Sequence, residues 1–288
     1  MEIAAEAADG YVEHVLEHFG CDLGGLRIAV DCANGAFSAI APAVFERLGA
    51  ELTTVAAAPD GTNINVGCGA TDLRLLQEVV RAGGHHLGVA FDGDGDRMLA
   101  VDERGEPLDG DQILAVLALA RGVDTVAVTT MTNLGFHRLM GERGIRVLTT
   151  DVGDRYVLEA MRAEGVVLGG EQSGHVITLD GHVTGDGLAA ALLLCRALDG
   201  RPLSRAAGVL ALLPQAKENV RVARPGLSDA VLAEVERLGR ELAGRGRILV
   251  RPSGTEPVVR VLVECESARE AADLCGRVAS LIREQPRE

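Results

Sequence analysis

The chain has 288 residues, 47% of them hydrophobic, with a mean hydropathy of +0.17, which is enough for two or three domains with sizeable cores. Only 2% of residues are aromatic, Trp is absent, and 42 acidic against 28 basic residues leave a formal charge of −14. That balance excludes a general nucleic-acid surface built from basic patches and stacking rings, although a few arginines and a cation can still hold a small phosphorylated ligand inside an acidic protein.

The first twenty residues carry Tyr11, Val12, Val15, Leu16 and Phe19 at helical spacing, with Gly20 as a stop, and predict a connector helix over 1–22. A strand Leu26–Asp31, a polar turn through Gly35 and a helix carrying Ile40, Val44, Phe45 and Leu48 then open an α/β unit. Leu87–Phe91 runs into an acidic loop and Met98–Val101 leaves it, before Gly110-Asp111 and an apolar helix. The same order returns: a strand Val126–Thr129, Gly135 in a turn, a helix through Phe136, Leu139 and Met140, and a strand Ile145–Leu148. Val166–Gly169 and Val176–Leu179 then flank a second polar loop, before Gly185-Asp186 and another apolar helix. Asp111 and Asp186 are each placed to cap the helix that follows. The recurrence reads as an internal duplication with both loops at equivalent strand ends, where open α/β sheets place ligands.

The last region differs. A strand Asn219–Val222, a helix Asp229–Leu242, strands Arg247–Val250 and Val258–Cys265 and a helix Ala268–Ile282 predict a small antiparallel sheet with helices. The expected architecture is α/β: two duplicated α/β mixed-sheet domains (23–122 and 123–207) followed by a small α+β C-terminal domain with an antiparallel sheet (208–288). None of the six cysteines (Cys21, Cys32, Cys68, Cys195, Cys265, Cys275) forms a C-x-x-C pair, which reads as free thiols in a reducing cytoplasm. No apolar run is long enough for a membrane span, and residues 1–6 lack a signal-peptide pattern.

Three motifs carry chemistry. In Asp92-Gly-Asp94-Gly-Asp96-Arg97, alternate side chains of an extended loop point the same way, so three carboxylates converge and repel unless a cation neutralises them; hard oxygen ligands suit Mg²⁺ or Ca²⁺. An EF-hand would match Glu103 at its twelfth position, but Arg97 stands where that loop needs Gly and the flanks read as strands. Gly170-Glu171-Gln172-Ser173-Gly174-His175 offers donors and acceptors suited to sugar hydroxyls or an amine. Arg251-Pro252-Ser253-Gly254-Thr255-Glu256-Pro257, with Arg260 behind it, combines hydroxyls, backbone N–H groups and guanidinium forks suited to a phosphate dianion. It is not a Walker A loop, because the lysine and the glycine spacing are absent.

These motifs, spread from Leu26 to Ile282, resemble the α-D-phosphohexomutase superfamily, and within it the bacterial phosphoglucosamine mutase branch, with which Gln172 agrees. The resemblance implies a metal site at Asp92, Asp94 and Asp96 for Mg²⁺, a catalytic role for Arg97, and substrate contacts from Glu171, Ser173, Arg251, Ser253, Gly254, Thr255 and Arg260. It also implies a role near the substrate for the Asp151-Val-Gly-Asp-Arg155-Tyr156 loop. The implied reaction interconverts glucosamine 6-phosphate and glucosamine 1-phosphate through a phosphoserine and a bisphosphate intermediate, feeding amino-sugar nucleotide and cell-wall precursor synthesis. Phosphomannomutase or phosphoglucomutase activity and non-catalytic binding of a phosphosugar with Mg²⁺ are the alternatives. The family's nucleophile is a Ser followed by His, and no Ser-His pair occurs here; Ser38, Ser173, Ser204 and Ser253 lie in other contexts. The chain is therefore expected to lack the family's N-terminal phosphoserine domain and to be inactive alone. Its expected partners are a phosphorylated hexosamine and that domain or a complementary fragment; a homodimer is admitted, nucleic acid and membrane are not.

Overall fold

A computed structural model of the chain describes residues 2–222, 226–253 and 256–285, with side chains from residue 7 onward. They fall into two compact units, Met1–Thr132 with Phe136–Leu210, and Asn133–Gly135 with Ala211–Glu288.

The first unit opens with helix α1 (Glu2–Phe19), then β1 (Arg27–Asp31), α2 (Ile40–Arg47), β2 (Glu51–Val55), α3 (Arg74–Gly83), β3 (Leu87–Phe91), β4 (Met98–Asp102), β5 (Pro107–Leu108) and α4 (Gly110–Arg121). It continues through β6 (Thr125–Thr129), α5 (Leu134–Glu142), β7 (Arg146–Thr150), α6 (Asp154–Glu164), β8 (Leu168–Gly170), β9 (Val176–Thr178), α7 (Gly187–Leu198) and α8 (Leu203–Ala207). The two sheets have the orders β2-β1-β3-β4-β5 and β7-β6-β8-β9. In each, an edge strand pairs parallel with the first strand, which pairs parallel with the third, which pairs antiparallel with the fourth. The duplication read from the sequence is therefore a duplication of topology.

What joins the halves is a pair of helices that are apolar all round, the pattern of a helix with no solvent face. Helix α4 packs on β4 of the first sheet and β8 of the second; α7 packs on β3, β4 and β9 and on α4 itself. Every residue of α7 but Arg196 is buried. Both sheets thus share one core, in which Ile113, Leu114, Leu117, Leu188, Leu192 and Leu194 are fully buried. The outer faces are covered by amphipathic helices, α3 through Leu76 and Val80, and α6 through Val157 and Met161.

Two local expectations are corrected. The cap of α4 is Asp109, whose side chain accepts from Gln112 N while the Gln112 side chain accepts from Asp109 N, the reciprocal capping box. The cap and the helix start lie two residues earlier than the sequence suggested, so Asp111 sits inside the first turn, fully buried. Asp186 does cap α7, accepting from Leu188 N and Ala189 N. Gly135, expected in a turn, lies within α5, where a Cβ would come within 2.1 Å of Ala211 O.

The second unit is a three-stranded antiparallel sheet, β10 (Gln215–Arg221), β12 (Val258–Cys265) and β11 (Gly246–Pro252) in that order, with α9 (Asp229–Glu241) and α10 (Ala268–Glu284). Its core gathers Val220, Val231, Leu238, Val259, Val261, Val263, Val278 and Ile282. Ser228 and Ser267 cap the two helices.

The shared core predicts a graded response. Leu114→Ala should lower the unfolding free energy by ~2–5 kcal/mol in urea titration, whereas Val66→Ala, at a residue 68% exposed, should stay within about 0.5 kcal/mol of the parent.

Candidate functional site

Strand β3, buried along its whole length, delivers Asp92 to the end of the first sheet. Asp92 Oδ1 accepts from Gly95 N at 3.1 Å and Arg97 N at 3.2 Å, which curls the loop back on its first residue. Gly95 takes φ +83°, open to glycine at little cost, and a Cβ there would meet the Phe37 ring at 2.6 Å. Two further bonds fix the loop from outside: Ala36 N donates to Gly93 O and Gly187 N, at the start of α7, donates to Gly95 O, each at 2.9 Å.

The result brings Asp92, Asp94 and Asp96 together, with one carboxylate oxygen from each lying within 4.8 Å of the others. Asp92 is buried, Asp96 partly buried and Asp94 exposed. Burial first, and then the charges of Asp96 and Asp94, push the Asp92 carboxyl up to about 6. Arg97 Nε stands 3.7 Å from both Asp92 Oδ2 and Asp96 Oδ1, so one guanidinium faces two of the three carboxylates. Asp96 Oδ1 is buried and accepts no hydrogen bond. An all-oxygen donor set, excess negative charge and an unsatisfied buried oxygen together fit a hard divalent cation. The flanks are strands β3 and β4 rather than helices, against an EF-hand.

The second polar loop is stitched onto the first. Within it, Glu171 N donates to His175 O and Gly174 N to Glu171 O, both at 3.0 Å. Met98 N, at the end of the acidic loop, donates to Gly174 O, and Gly110 N, at the start of α4, donates to Gln172 O, both at 3.0 Å. Glycine is required at this approach: a Cβ on Gly174 would lie 2.5 Å from Met98 O, and one on Gly110 would lie 2.0 Å from Glu171 O.

The side chains divide their roles. Gln172 Nε2 donates to Asp109 Oδ2 at 3.1 Å, directed at the α4 cap. Glu171 Oε1 accepts from Gly153 N at 3.0 Å, which brings the cap of α6 beside the second polar loop; Asp154, Arg155 and Tyr156, expected in a loop, form the first turn of α6, where Arg155 pairs with Glu159. Ser173 is exposed. His175, which the sequence marks only as the last residue of the motif, is 5% exposed, and its Nδ1 lies 3.3 Å from Asp96 Oδ2. Its position directly after Gly174 was the available signal.

In the second unit, Arg251 and Arg260 stand directly opposite each other on β11 and β12. Like charges in that register repel. Arg251 Nε and Arg260 Nε are buried and donate no hydrogen bond among the described residues, while Arg260 also pairs with Glu256 at 3.2 Å. Ser253 is buried beside them, with its N–H donating to Val258 O at 2.9 Å. Gly254 and Thr255 lie outside the described residues.

Comparison with known proteins decides the family. Residues 9–105 match the phosphoglucomutase/phosphomannomutase model for alpha/beta/alpha domain II, residues 109–212 that for alpha/beta/alpha domain III, and residues 218–281 that for the C-terminal domain. The chain belongs to the phosphoglucomutase/phosphomannomutase family. It is 50% identical over 290 residues to a phosphoglucosamine mutase of Pelotomaculum thermopropionicum, covering 97% of this chain and 65% of that protein. To the phosphoglucosamine mutase of Streptomyces griseus it is 49% identical, covering 96% of this chain and 64% of the relative. Among solved structures, a phosphoglucomutase/phosphomannomutase family protein of Burkholderia thailandensis shares the fold with a TM-score of 0.80 at 24% identity, over 96% of this chain and 65% of that one. The N-acetylphosphoglucosamine mutase of Aspergillus fumigatus, solved with GlcNAc-6P and magnesium, gives a TM-score of 0.79 at 23% identity, over 96% of this chain and 66% of that one. Among the described residues no helix is long and apolar enough to cross a membrane, and all six cysteines are free thiols.

The raised Asp92 carboxyl has a sign that can be tested. Its folded-state value lies above the ordinary carboxylate value of about 3.9, so the folded chain binds more protons than the unfolded one between those values. This group's contribution is most favourable below the unfolded value and is lost as pH rises through about 6. Asp92→Asn should therefore raise the melting temperature of the EDTA-treated chain at pH 7 and abolish the rise that added Mg²⁺ gives the parent, both read by thermal denaturation.

Proposed function

We propose that this chain carries the metal-, sugar- and phosphate-binding parts of a phosphoglucosamine mutase, interconverting glucosamine 6-phosphate and glucosamine 1-phosphate in a reducing cytoplasm. The observation that carries the reading is the join between the two loops: the Gly174 carbonyl accepts from Met98 N beside the acidic loop, and His175 faces Asp96 across it. The identity of about half to named phosphoglucosamine mutases supports the choice of branch.

Asp92, Asp94 and Asp96 would hold Mg²⁺, which when bound offsets charge on a transferring phosphoryl group. The chain's own residues do the rest. Arg97, half-exposed at the rim of the loop, offers a guanidinium to a phosphoryl oxygen. His175 keeps Asp96 aimed into the cluster. Glu171 and Ser173 meet the sugar, with Gly153 N holding the Glu171 carboxylate in place. Arg251, Arg260 and Ser253, with Gly254 and Thr255 of the same segment, bind the phosphate that is not transferred; two opposed guanidiniums are what a dianion relieves. In this mechanism the phosphoryl donor is a phosphoserine followed by His, a pair that these 288 residues do not contain. Turnover therefore depends on such a serine being supplied.

Titration calorimetry should show Mg²⁺ binding that Asp94→Ala weakens at least tenfold. Glucosamine 6-phosphate binding should fall roughly 10- to 100-fold in Arg251→Ala, as expected for one charge-assisted bond of about 1.5–3 kcal/mol. In a coupled assay, glucosamine 6-phosphate should turn over only when a relative's phosphoserine domain is added. Better turnover of glucose or mannose phosphates would move the chain to another branch. Binding without any turnover in the complemented assay would leave it a binding protein.

A further inference from the structure

A helix start leaves its first N–H groups without intrahelical partners, and in α7 each of them finds one elsewhere. Asp186 N donates to Val176 O at 3.4 Å and Gly187 N to Gly95 O, in the acidic loop, at 2.9 Å. Leu188 N and Ala189 N donate to Asp186 Oδ1 at 2.8 and 3.0 Å. One donor is thus spent on the acidic loop, and the Asp186 carboxylate orients the turn that carries it. That turn has no slack against the loop: a Cβ on Gly187 would lie 2.7 Å from Arg97 O and 2.8 Å from Gly95 O.

Helix α4 uses the same device on the other loop. Gly110 N donates to Gln172 O, and Asp109, the cap, accepts on its second oxygen from Gln172 Nε2 at 3.1 Å. The start of each apolar helix therefore grips the loop of the opposite repeat. In α7, however, the second cap oxygen has a partner from neither repeat. Asp186 Oδ2 accepts from Tyr11 OH of α1 at 2.8 Å, with His182 Nε2 at 3.2 Å. Asp186 is 7% exposed, and a hydrogen bond to a carboxylate is among the stronger ones. Tyr11 also lies over Phe37, with ring centroids 6.1 Å apart and planes 15° from parallel. Phe37 is the ring that a Cβ on Gly95 would meet at 2.6 Å. Tyr11 thus reaches Gly95 by two routes, through Phe37 and through Asp186 and Gly187.

We propose that Tyr11 and Asp186 are positioning residues for the acidic loop, through which α1 sets the affinity of Asp92, Asp94 and Asp96 for their cation. The inference rests on the reading of that loop as the metal site. Neither residue is a ligand. Tyr11 holds Asp186, Asp186 holds the first turn of α7, and Gly187 N holds Gly95 between Asp94 and Asp96. The same turn sets the positive end of the α7 dipole against a loop with excess negative charge.

The test is Mn²⁺ titration of the EDTA-treated full chain, read by the electron paramagnetic resonance signal of free Mn²⁺, together with exchange of the Gly187 amide in the metal-free chain, read by nuclear magnetic resonance. Tyr11→Phe removes one hydroxyl. Asp186→Ser keeps a helix cap without the second oxygen that Tyr11 reaches. Each should weaken Mn²⁺ binding by about threefold or more, as for a support one step behind the ligands, and should speed Gly187 exchange. The double variant should bind no more weakly than the weaker single variant, because both remove the same bond. Val15→Ala, which empties part of the core under α1 but leaves the groups of that bond in place, should lower the melting temperature and keep Mn²⁺ affinity near that of the parent. Parent-like Mn²⁺ affinity in a folded Tyr11→Phe chain, or an equal loss of affinity in Val15→Ala, would overturn the proposal. Absence of Mn²⁺ binding in the parent would remove the metal reading itself. Gly187 exchange that is equal in the parent and in Tyr11→Phe would remove the positioning role whether or not metal binds.

Discussion

Three carboxylates held with oxygens within 4.8 Å of one another are the constraint on which the first unit is organised. Left alone they would separate, and the Asp92 carboxyl already registers the cost by retaining its proton up to about 6. The fold keeps them together with backbone contacts that have little room to move. The buried strand β3 sets the position of Asp92, Gly35 and Gly95 permit close approach, and the first N–H of α7 holds Gly95 O. An arrangement this unfavourable without a cation, enforced from several directions, is the signature of a preorganised ion site.

The enforcement comes from the duplication. Each half presents a hairpin at the same end of its sheet; the two hairpins bond through Met98 N–Gly174 O, and the second is also held to the start of α4 through Gly110 N–Gln172 O. Those bonds hold only because α4 and α7, buried among strands of both sheets, make one core of two repeats. The polar groups of the second loop are accordingly divided. Gln172 supports the α4 cap and Glu171 holds Gly153 at the start of α6, while Ser173 remains exposed. From the sequence, Gln172 reads as ligand-facing along with Glu171 and Ser173, because a loop motif does not reveal which side chains its own scaffold uses.

Legibility in the sequence tracked local chemistry. Helices α7, α9 and α10 begin at Asp or Ser caps, and the expected starts of α9 and α10 matched. Helices α3 and α6 were not anticipated; their N-caps are Leu73 and Gly153, with no side-chain cap bond, and each buries only two residues. Edge strand β2 has no fully buried residue and so no alternation to read. The convergence of Asp92, Asp94 and Asp96 was legible, since alternate residues of a short loop between two apolar strands point the same way. The His175–Asp96 contact was not, because it joins residues far apart in sequence and depends on how the hairpins interlock. The hydrogen bond between His14 and His182, 3.1 Å apart, escaped for the same reason, since it forms where α1 packs beside α7.

The central claim is that the acidic loop and the loop around His175 form a single ligand site. Mn²⁺, which takes the same oxygen ligands as Mg²⁺, allows it to be measured by proton relaxation of bound glucosamine 6-phosphate. A single site predicts strong paramagnetic broadening of the sugar ring protons in the Mn²⁺-loaded chain, lost in Asp94→Ala. Sugar phosphate that binds with unchanged relaxation while Mn²⁺ occupies the acidic loop would contradict it.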